Sequence, residues 1–476
     1  MMGRRAVRFA AFAVVIGAGC AVGPDFQPPE PIAPSAIAAP ASASETTRFT
    51  DREPEDRWWK VFADPALDAM VDEARLKNQD HQAALARVQA ARAVAFQSAG
   101  LLLPDASLNG SYVYQQQSAT GFFGSIASEP YQTFTGTGDL SYEIDLWGRL
   151  RRTIESADAD ALASEEDRRT VEITLTADVA DAWFDLGQAT ESLEIARENV
   201  ALNEETLSIA TARVAAGAVG ELAVESARRD LESARATLPE ARRLHAVAAH
   251  RLAILLGSPP DRRFDASPSV AFGLPLEIPV GVPATLLRRR PDVRAAELRV
   301  RSANAQIGAA FANYFPTITI VGDAGYSSES VNKLPRPASQ QWDIGPSIHI
   351  PLLQLATNYY LVAEKEARTR EAIANYRSIV LRAFGEVADA MAGIEGHKEA
   401  RDHYVEVVAA SRRAVALAET SYKEGVTSYL EVLDAQRTLV QGRTNLLQAQ
   451  RDLLGDMVHL EKALGGGWTK SVEAGQ

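Results

Sequence analysis

The sequence predicts a mainly α-helical chain that also carries the strands of a membrane β-barrel. Three observations lead there: an internal duplication, helical stretches far longer than globular domains use, and four strands of long apolar and polar alternation. Leu102-Leu103-Pro104 returns as Tyr314-Phe315-Pro316, an offset of 212, and Asp80 to Ala84 aligns with Asp292 to Ala296 at the same spacing. Further along the offset is 208, with Gly217 against Gly425, Leu222 against Leu430, Arg229 against Arg437 and Leu256-Gly257 against Leu464-Gly465. A unit this long is not a short solenoid repeat; it makes a body of two equivalent modules.

The first repeat covers 58–257 and the second 286–464, joined by a connector over 258–285. Trp58-Trp59 and Phe62 open the first, and Asp64 caps a helix that accepts Pro65 in its first turn and runs toward Ala99, before Pro104. A β-hairpin follows over 105–146, then a helical hairpin over 150–257. The second repeat has its own opening helix, a β-hairpin over 317–352 and a helical hairpin over 354–464.

From Phe134 onward Gly136, Gly138, Leu140, Tyr142, Ile144 and Leu146 fall on one face and Thr135, Thr137, Asp139, Ser141, Glu143 and Asp145 on the other. Ile318, Ile320, Ala324 and Tyr326 alternate in the same way with Thr317, Thr319 and Asp323. The return strand sets Trp342, Ile344, Ile348 and Ile350 against Asp343, Ser347 and His349, and Leu108, Tyr112 and Tyr114 mark a weaker first strand. Alternation usually means a soluble sheet with one wet face. Strand length and the Tyr and Trp near the strand ends favour a lipid-facing band around a polar lumen. Four strands cannot close a barrel, and open edges in hydrocarbon leave backbone groups unpaired at several kcal/mol each. Membrane insertion therefore requires oligomerisation: two copies give about eight strands and a filled interior, three give about twelve and the start of an aqueous lumen, and the trimer is the favoured expectation.

Between Leu150 and Val214 there is no Pro and Gly187 is the only Gly, so one helix of about 65 residues, roughly 95 Å long, is expected. Leu193, Ala196, Val200, Asn203, Leu207, Ala210 and Val214 make a coiled-coil stripe, echoed by Tyr404, Val408, Ser411, Val415, Ala418 and Tyr422. Each helix turns near Gly217 or Gly425, the two hairpin tips, and the chain returns through Leu222 to Leu256 and Leu430 to Leu464.

Composition removes other classes. With 23% charged residues, 46% hydrophobic residues and a net charge of −13, the chain folds and has no overall attraction for nucleic acid. A mean hydropathy of −0.13 and the lack of any uninterrupted apolar run of about 18 residues in the body exclude a bundle of membrane helices but not a barrel. Arg4, Arg5 and Arg8 precede an apolar stretch from Phe9 to Ile16, then Gly17-Ala18-Gly19 and Cys20, the pattern of a lipoprotein signal over 1–19. Cys20 is the sole cysteine and the expected lipidation site, which also excludes disulfides and a cysteine metal centre. An ordinary secretory signal with an incidental cysteine is the weaker alternative. Ala21 after the cysteine favours the outer membrane by analogy. Residues 20–57, with Pro28-Pro29-Glu30-Pro31, Pro34 and Pro40, form an extended tether.

Several motifs together resemble one family. They are Cys20 to Phe26 with its Pro-rich tether, Trp58 to Pro65, Leu287-Arg288-Arg289-Arg290-Pro291-Asp292 through Glu297, Tyr422 to Gly425, Tyr429 to Arg437, and Ala463 to Trp468. The chain resembles the outer-membrane factor (TolC-like) efflux proteins, in particular the lipoprotein subunits that serve resistance-nodulation-division pumps. The resemblance implies a homotrimer in the outer membrane with a 12-stranded barrel and a periplasmic α-barrel. It also implies a small mixed equatorial domain from stretches near Pro29–Phe62, Ser258–Pro283 and the 465–476 tail. The implied partners are a periplasmic adaptor, an inner-membrane pump and outer-membrane lipid, with no cofactor beyond the acyl anchor on Cys20. The same resemblance maps a periplasmic gate onto Leu430 as apolar constriction, Asp434 as carboxylate ring and Arg437 as a tie between helices. Their spacing places them on one helix face; without the family, Asp434 and Arg437 read as an exposed i,i+3 pair of little energetic value. Ser226 stands where the first repeat would have the Asp.

Arg288-Arg289-Arg290, before the helix start at Pro291-Asp292, reads as a solvated structural cluster rather than a lipid or nucleic-acid patch. There is no phosphate loop, nucleophile elbow or HExxH spacing, so an enzyme is not expected and no metal site is assigned. The competing class is a helical envelope lipoprotein that spaces membranes without a pore, for which four long alternating strands would have no use. Ducts for protein secretion or metal efflux share the channel reading with different cargo.

Overall fold

The computed structural model describes residues 21–30, 32, 48–50, 57–116, 118, 120, 129–264, 277–279 and 283–466. Cys20, the 1–19 signal, most of the tether and all of the tail beyond Gly466 lie outside the described residues. In chain order the strands are β1 Arg48–Thr50, β2 Asp105–Gln115, β3 Tyr131–Ile144, β4 Glu277–Pro279, β5 Thr317–Ser328 and β6 Gln340–His349. The helices are α1 Pro65–Lys77, α2 Gln79–Ala99, α3 Arg149–Ala215, α4 Leu222–Leu255, α5 Pro283–Arg289, α6 Pro291–Ala312, α7 Leu355–Lys423 and α8 Tyr429–Ala463. The two longest, α3 and α7, have 67 and 69 residues, and neither contains a proline.

The chain divides into two compact units. One comprises 1–30, 88–164 and 295–376. Its sheet has the order β2-β3-β5-β6, antiparallel throughout, with β2 and β6 outermost. The register sorts the side chains by face. Ile144, Ile318 and Ile348 are cross-strand neighbours, as are Leu108, Gly138, Ala324 and Trp342, whereas Asp139, Asp323 and Asp343 line up on the opposite face. Below the sheet Trp147 stacks on Phe315 at 4.5 Å and donates its indole N–H to the Pro316 carbonyl at 2.8 Å. The first described residues are docked there. Val22 N–H donates to the Trp147 carbonyl at 3.0 Å, Asn304 Nδ2 to the Pro24 carbonyl at 3.0 Å, and buried Arg152 to Asp25 at 2.6 Å. Gly308 permits this approach, because a Cβ there would lie 2.9 Å from the Val22 carbonyl.

The other unit comprises 31–87, 165–294 and 377–476. Trp58, Trp59 and Phe62 are buried, and Phe62 meets Phe184 at 4.8 Å. Asp64 caps α1 through Ala66 N–H and accepts the Trp183 indole N–H at 2.7 Å, which fixes the repeat's entry to the long helix. The tether and the connector meet in a short parallel pair, β1 with β4.

The single opening helix expected to run from Asp64 to Ala99 is instead two. Asn78 leaves helical geometry (ψ 129°), accepts the His81 N–H at 3.0 Å, and donates Nδ2 to the Leu255 carbonyl at 3.0 Å. Exchanging one intrahelical bond for a cap and a tertiary tie makes the break stable. The second repeat breaks at Arg290, again 212 residues on, and Arg290 donates to the Ala463 carbonyl at 3.0 Å. Arg290 is therefore not a solvated residue of the Arg288-Arg289-Arg290 run. It is buried and paired with Asp292 and Glu386, each at 2.6 Å, which compensates the charge it brings inside.

Candidate functional site

The hairpin tips lie in the second unit. At each tip a glycine ends the incoming helix with the bond pattern of a Schellman cap. Gly217 N–H reaches the Val214 carbonyl and Ala218 N–H the Arg213 carbonyl; Gly425 and Val426 repeat this with Tyr422 and Ser421. Their φ values, 70° and 82°, demand a residue without a Cβ penalty. Gly257 and Gly465 close the returning helices in the same way, so both cap pairs keep the 208 spacing.

Beneath the tips, Ala210, Ala227, Tyr422, Tyr429, Val432 and Leu433 form a buried cluster. The Arg213 guanidinium lies 4.4 Å from the Tyr422 ring and donates to that residue's carbonyl at 2.6 Å. Tyr429 sends its O–H to Asp230 at 3.1 Å. Burial first, and then the Asp230 carboxylate, hold the Tyr429 phenol far above the ordinary tyrosine range, so it remains a proton donor. Asp230 is buried and also receives Arg229 at 3.0 Å and Arg437 at 3.2 Å. One carboxylate thus gathers two arginines and a tyrosine from α4 and α8.

Of the residues expected to form the gate, Leu430 is exposed (69%) at the start of α8, and Asp434 is exposed one turn later. Arg437 is exposed as well, and does tie two helices, through Asp230. The i,i+3 pair of Arg437 with Asp434 that spacing alone suggests is not formed: the guanidinium goes to α4. Sequence reading missed Asp230 and Tyr429. Asp230 aligns at offset 208 with Thr438, so the duplication gives no echo of it, and its adjacency to Arg229 is the one available signal. The tip chemistry is one of packing and charge. Among the described residues no group of three or more His, Cys, Asp or Glu could hold a metal ion, and no helix is long and apolar enough to cross a membrane.

The family profile described as "Outer membrane efflux protein" matches residues 70–258 and 282–466, one match for each repeat. The chain belongs to that family. It is a family of transport ducts, not enzymes. Among relatives, the toluene efflux pump outer membrane protein TtgC of Pseudomonas putida is 32% identical over 473 residues, covering 98% of this chain and 96% of the relative. The probable outer membrane lipoprotein SilC of Salmonella typhimurium is 29% identical over 465 residues, covering 96% of this chain and 98% of its own. Of solved structures, the outer-membrane channel OprN superposes with a TM-score of 0.86 at 31% identity, covering 94% of this chain and 100% of that one. The mainly helical fold with a small set of strands is therefore the fold of this family's outer-membrane channels.

Proposed function

We propose that the protein is the exit duct of a tripartite efflux pump. Three copies close a 12-stranded outer-membrane barrel, their helical hairpins form a periplasmic α-barrel, and cargo arrives from an adaptor and an inner-membrane pump. The observation that carries this reading is the exposed apolar face of the sheet. Leu108, Trp342, Ile344 and Ile348 are 91, 70, 66 and 61% exposed. A soluble sheet covers such a face, whereas lipid is its natural solvent; the opposite face, with Asp139, Asp323 and Asp343, suits a wet lumen. Outer strands β2 and β6 then pair between copies, because a bilayer offers their backbone groups no water.

The hairpin tips supply the gate in this reading. Leu430 narrows the passage, Asp434 sets its charge, and Arg437 with Asp230 and Tyr429 holds the helices that line it. The anchor is an acyl group on Cys20, a reading supported by the relative named as a lipoprotein and by the docked segment that follows the cysteine. Native mass spectrometry of the detergent-solubilised protein is expected to give a trimer, and planar bilayers a pore. A stable monomer without conductance would return the chain to the class of non-conducting envelope spacers.

A further inference from the structure

In the second unit, away from the tips, four helices bring polar groups to a cleft of about 370 Å³ that the duct reading does not use. Helix α3 contributes Asp181 and Asp185, with Asp178 one turn before Asp181, and α8 contributes Asp452 and Asp456. Helix α7 brings His397 and α8 brings His459. His397 Nδ1 lies 2.6 Å from Asp456 and its Nε2 4.0 Å from Asp452. His459 Nε2 lies 3.5 Å from Asp181. Arg451 spans Asp181 at 3.0 Å and Asp185 at 2.7 Å, and Arg251 of α4 holds the other oxygen of Asp185 at 2.9 Å. Lys462 acts electrostatically on Asp178.

Charge decides how this cluster behaves. Five carboxylates face three permanent cations, Arg251, Arg451 and Lys462. A proton on His459 therefore falls where negative charge is in excess. Two interior helix glycines make room for the arrangement. A Cβ on Gly393 of α7 would lie 2.5 Å from the Asp456 carboxylate, and one on Gly455 would lie 2.7 Å from the Arg451 guanidinium. Glycine weakens a helix interior, so two of them facing this cluster match a requirement for space.

We propose that this cluster is a proton-controlled tie: protonation of His459 completes the ion pair with Asp181 that binds α8 to α3, and deprotonation loosens it. The linkage has one sign throughout. The hydrogen bond to Asp181 raises the His459 pKa, with burial opposing. Its contribution is therefore complete below about pH 6.5, the ordinary histidine value, and is lost as pH rises through the raised value. Burial raises the carboxyls of Asp178 and Asp456, the latter offset by the His397 hydrogen bond, a shift whose contribution has the same sign. Acidification from about pH 8 toward about pH 6 should tighten the helices rather than loosen them.

Native-state hydrogen exchange, read by mass spectrometry on the full detergent-solubilised protein and corrected for intrinsic rates, tests the tie without reference to conduction. Its failure would leave the duct reading untouched. Protection over 178–188 and 448–460 is expected to rise severalfold between pH 8 and pH 6. The His459→Gln variant should lose that rise. Gly393→Ala should reduce it, by displacing the Asp456 carboxylate that also acts on His459, although alanine is the better helix former. Equal wild-type protection at both pH values overturns the proposal, as does a full response in either variant.

Discussion

Arg437 donates to Asp230 at 3.2 Å on α4 and leaves Asp434, three residues back on its own helix, without a guanidinium partner. The two acidic residues therefore have separable roles. Asp230 is a buried junction and Asp434 an exposed charge.

The junction's strength rests on Tyr429 more than on the arginines. Arg229 and Arg437 are both mostly exposed, and such pairs are worth about 0–1 kcal/mol each. The buried Tyr429 O–H would be left without its acceptor in Asp230→Ala, at about 1–3 kcal/mol. Asp230→Ala is expected to lower the thermal midpoint and raise single-channel conductance, whereas Asp230→Asn, which keeps an acceptor, should do much less. Equal effects of the two substitutions would mean that charge, not the tyrosine bond, holds the tips.

Asp434→Ala should behave in the opposite manner. Stability should be unchanged within about 0.5 kcal/mol, as for an exposed site with no partner to lose. Cation selectivity and block by multivalent cations in planar bilayers should both weaken, because a ring of carboxylates at a mouth concentrates cations. Ser226→Ala, at the equivalent place in the first repeat, removes no charge and should leave selectivity alone. Unaltered selectivity in Asp434→Ala would place the charged constriction elsewhere.

Much of this architecture is legible in the sequence because the duplication reports it twice. The 208 offset that pairs Gly217 with Gly425 and Gly257 with Gly465 is a register of helix ends, and all four glycines are left-handed caps. Strand alternation likewise sorts the faces of the sheet before any register is known. What escapes is tertiary. Asn78 is a residue type that caps helices, but nothing local announces that its amide will also bond the end of another helix. Arg290 sits in a basic run that looks solvated, and only the approach of Glu386 and the Ala463 carbonyl makes its burial tolerable. Asp230 has neither a repeat partner nor a motif.

The capping glycines differ in what surrounds them, and substitution should separate them. At Gly257 (φ 66°) a Cβ would lie 2.4 Å from the Lys77 carbonyl oxygen, and backbone cannot swing aside. Gly257→Ala should cost about 3 kcal/mol or more, left-handed strain and overpacking together. Around Gly217 a Cβ would meet nothing within 4 Å, so Gly217→Ala should cost only the strain, about 1–2 kcal/mol, and Gly217→Asn less. Thermal unfolding of the detergent-solubilised protein ranks them, and a Gly217→Ala midpoint as low as that of Gly257→Ala would refute the distinction.

The anchor and the segment behind it can be tested apart. If Cys20 is acylated, mass spectrometry of the mature protein should find a lipid-modified N-terminus at that residue, and Cys20→Ala should disturb processing. An unmodified mature chain beginning elsewhere would remove the lipoprotein assignment. Residues 22–25 are held by Trp147, Asn304 and Arg152 whatever the chemistry at Cys20, so in Cys20→Ala they should stay docked if the protein is recovered folded. Gly308→Ala is the converse case. Its Cβ would collide with the Val22 carbonyl at 2.9 Å and with Arg152 at 3.0 Å, which should release the segment while leaving the acyl group in place. Limited proteolysis reads the difference: cleavage within 21–30 should appear in Gly308→Ala and not in the parent protein. Resistance in Gly308→Ala would mean that the anchor, and not this docking, protects the N-terminus.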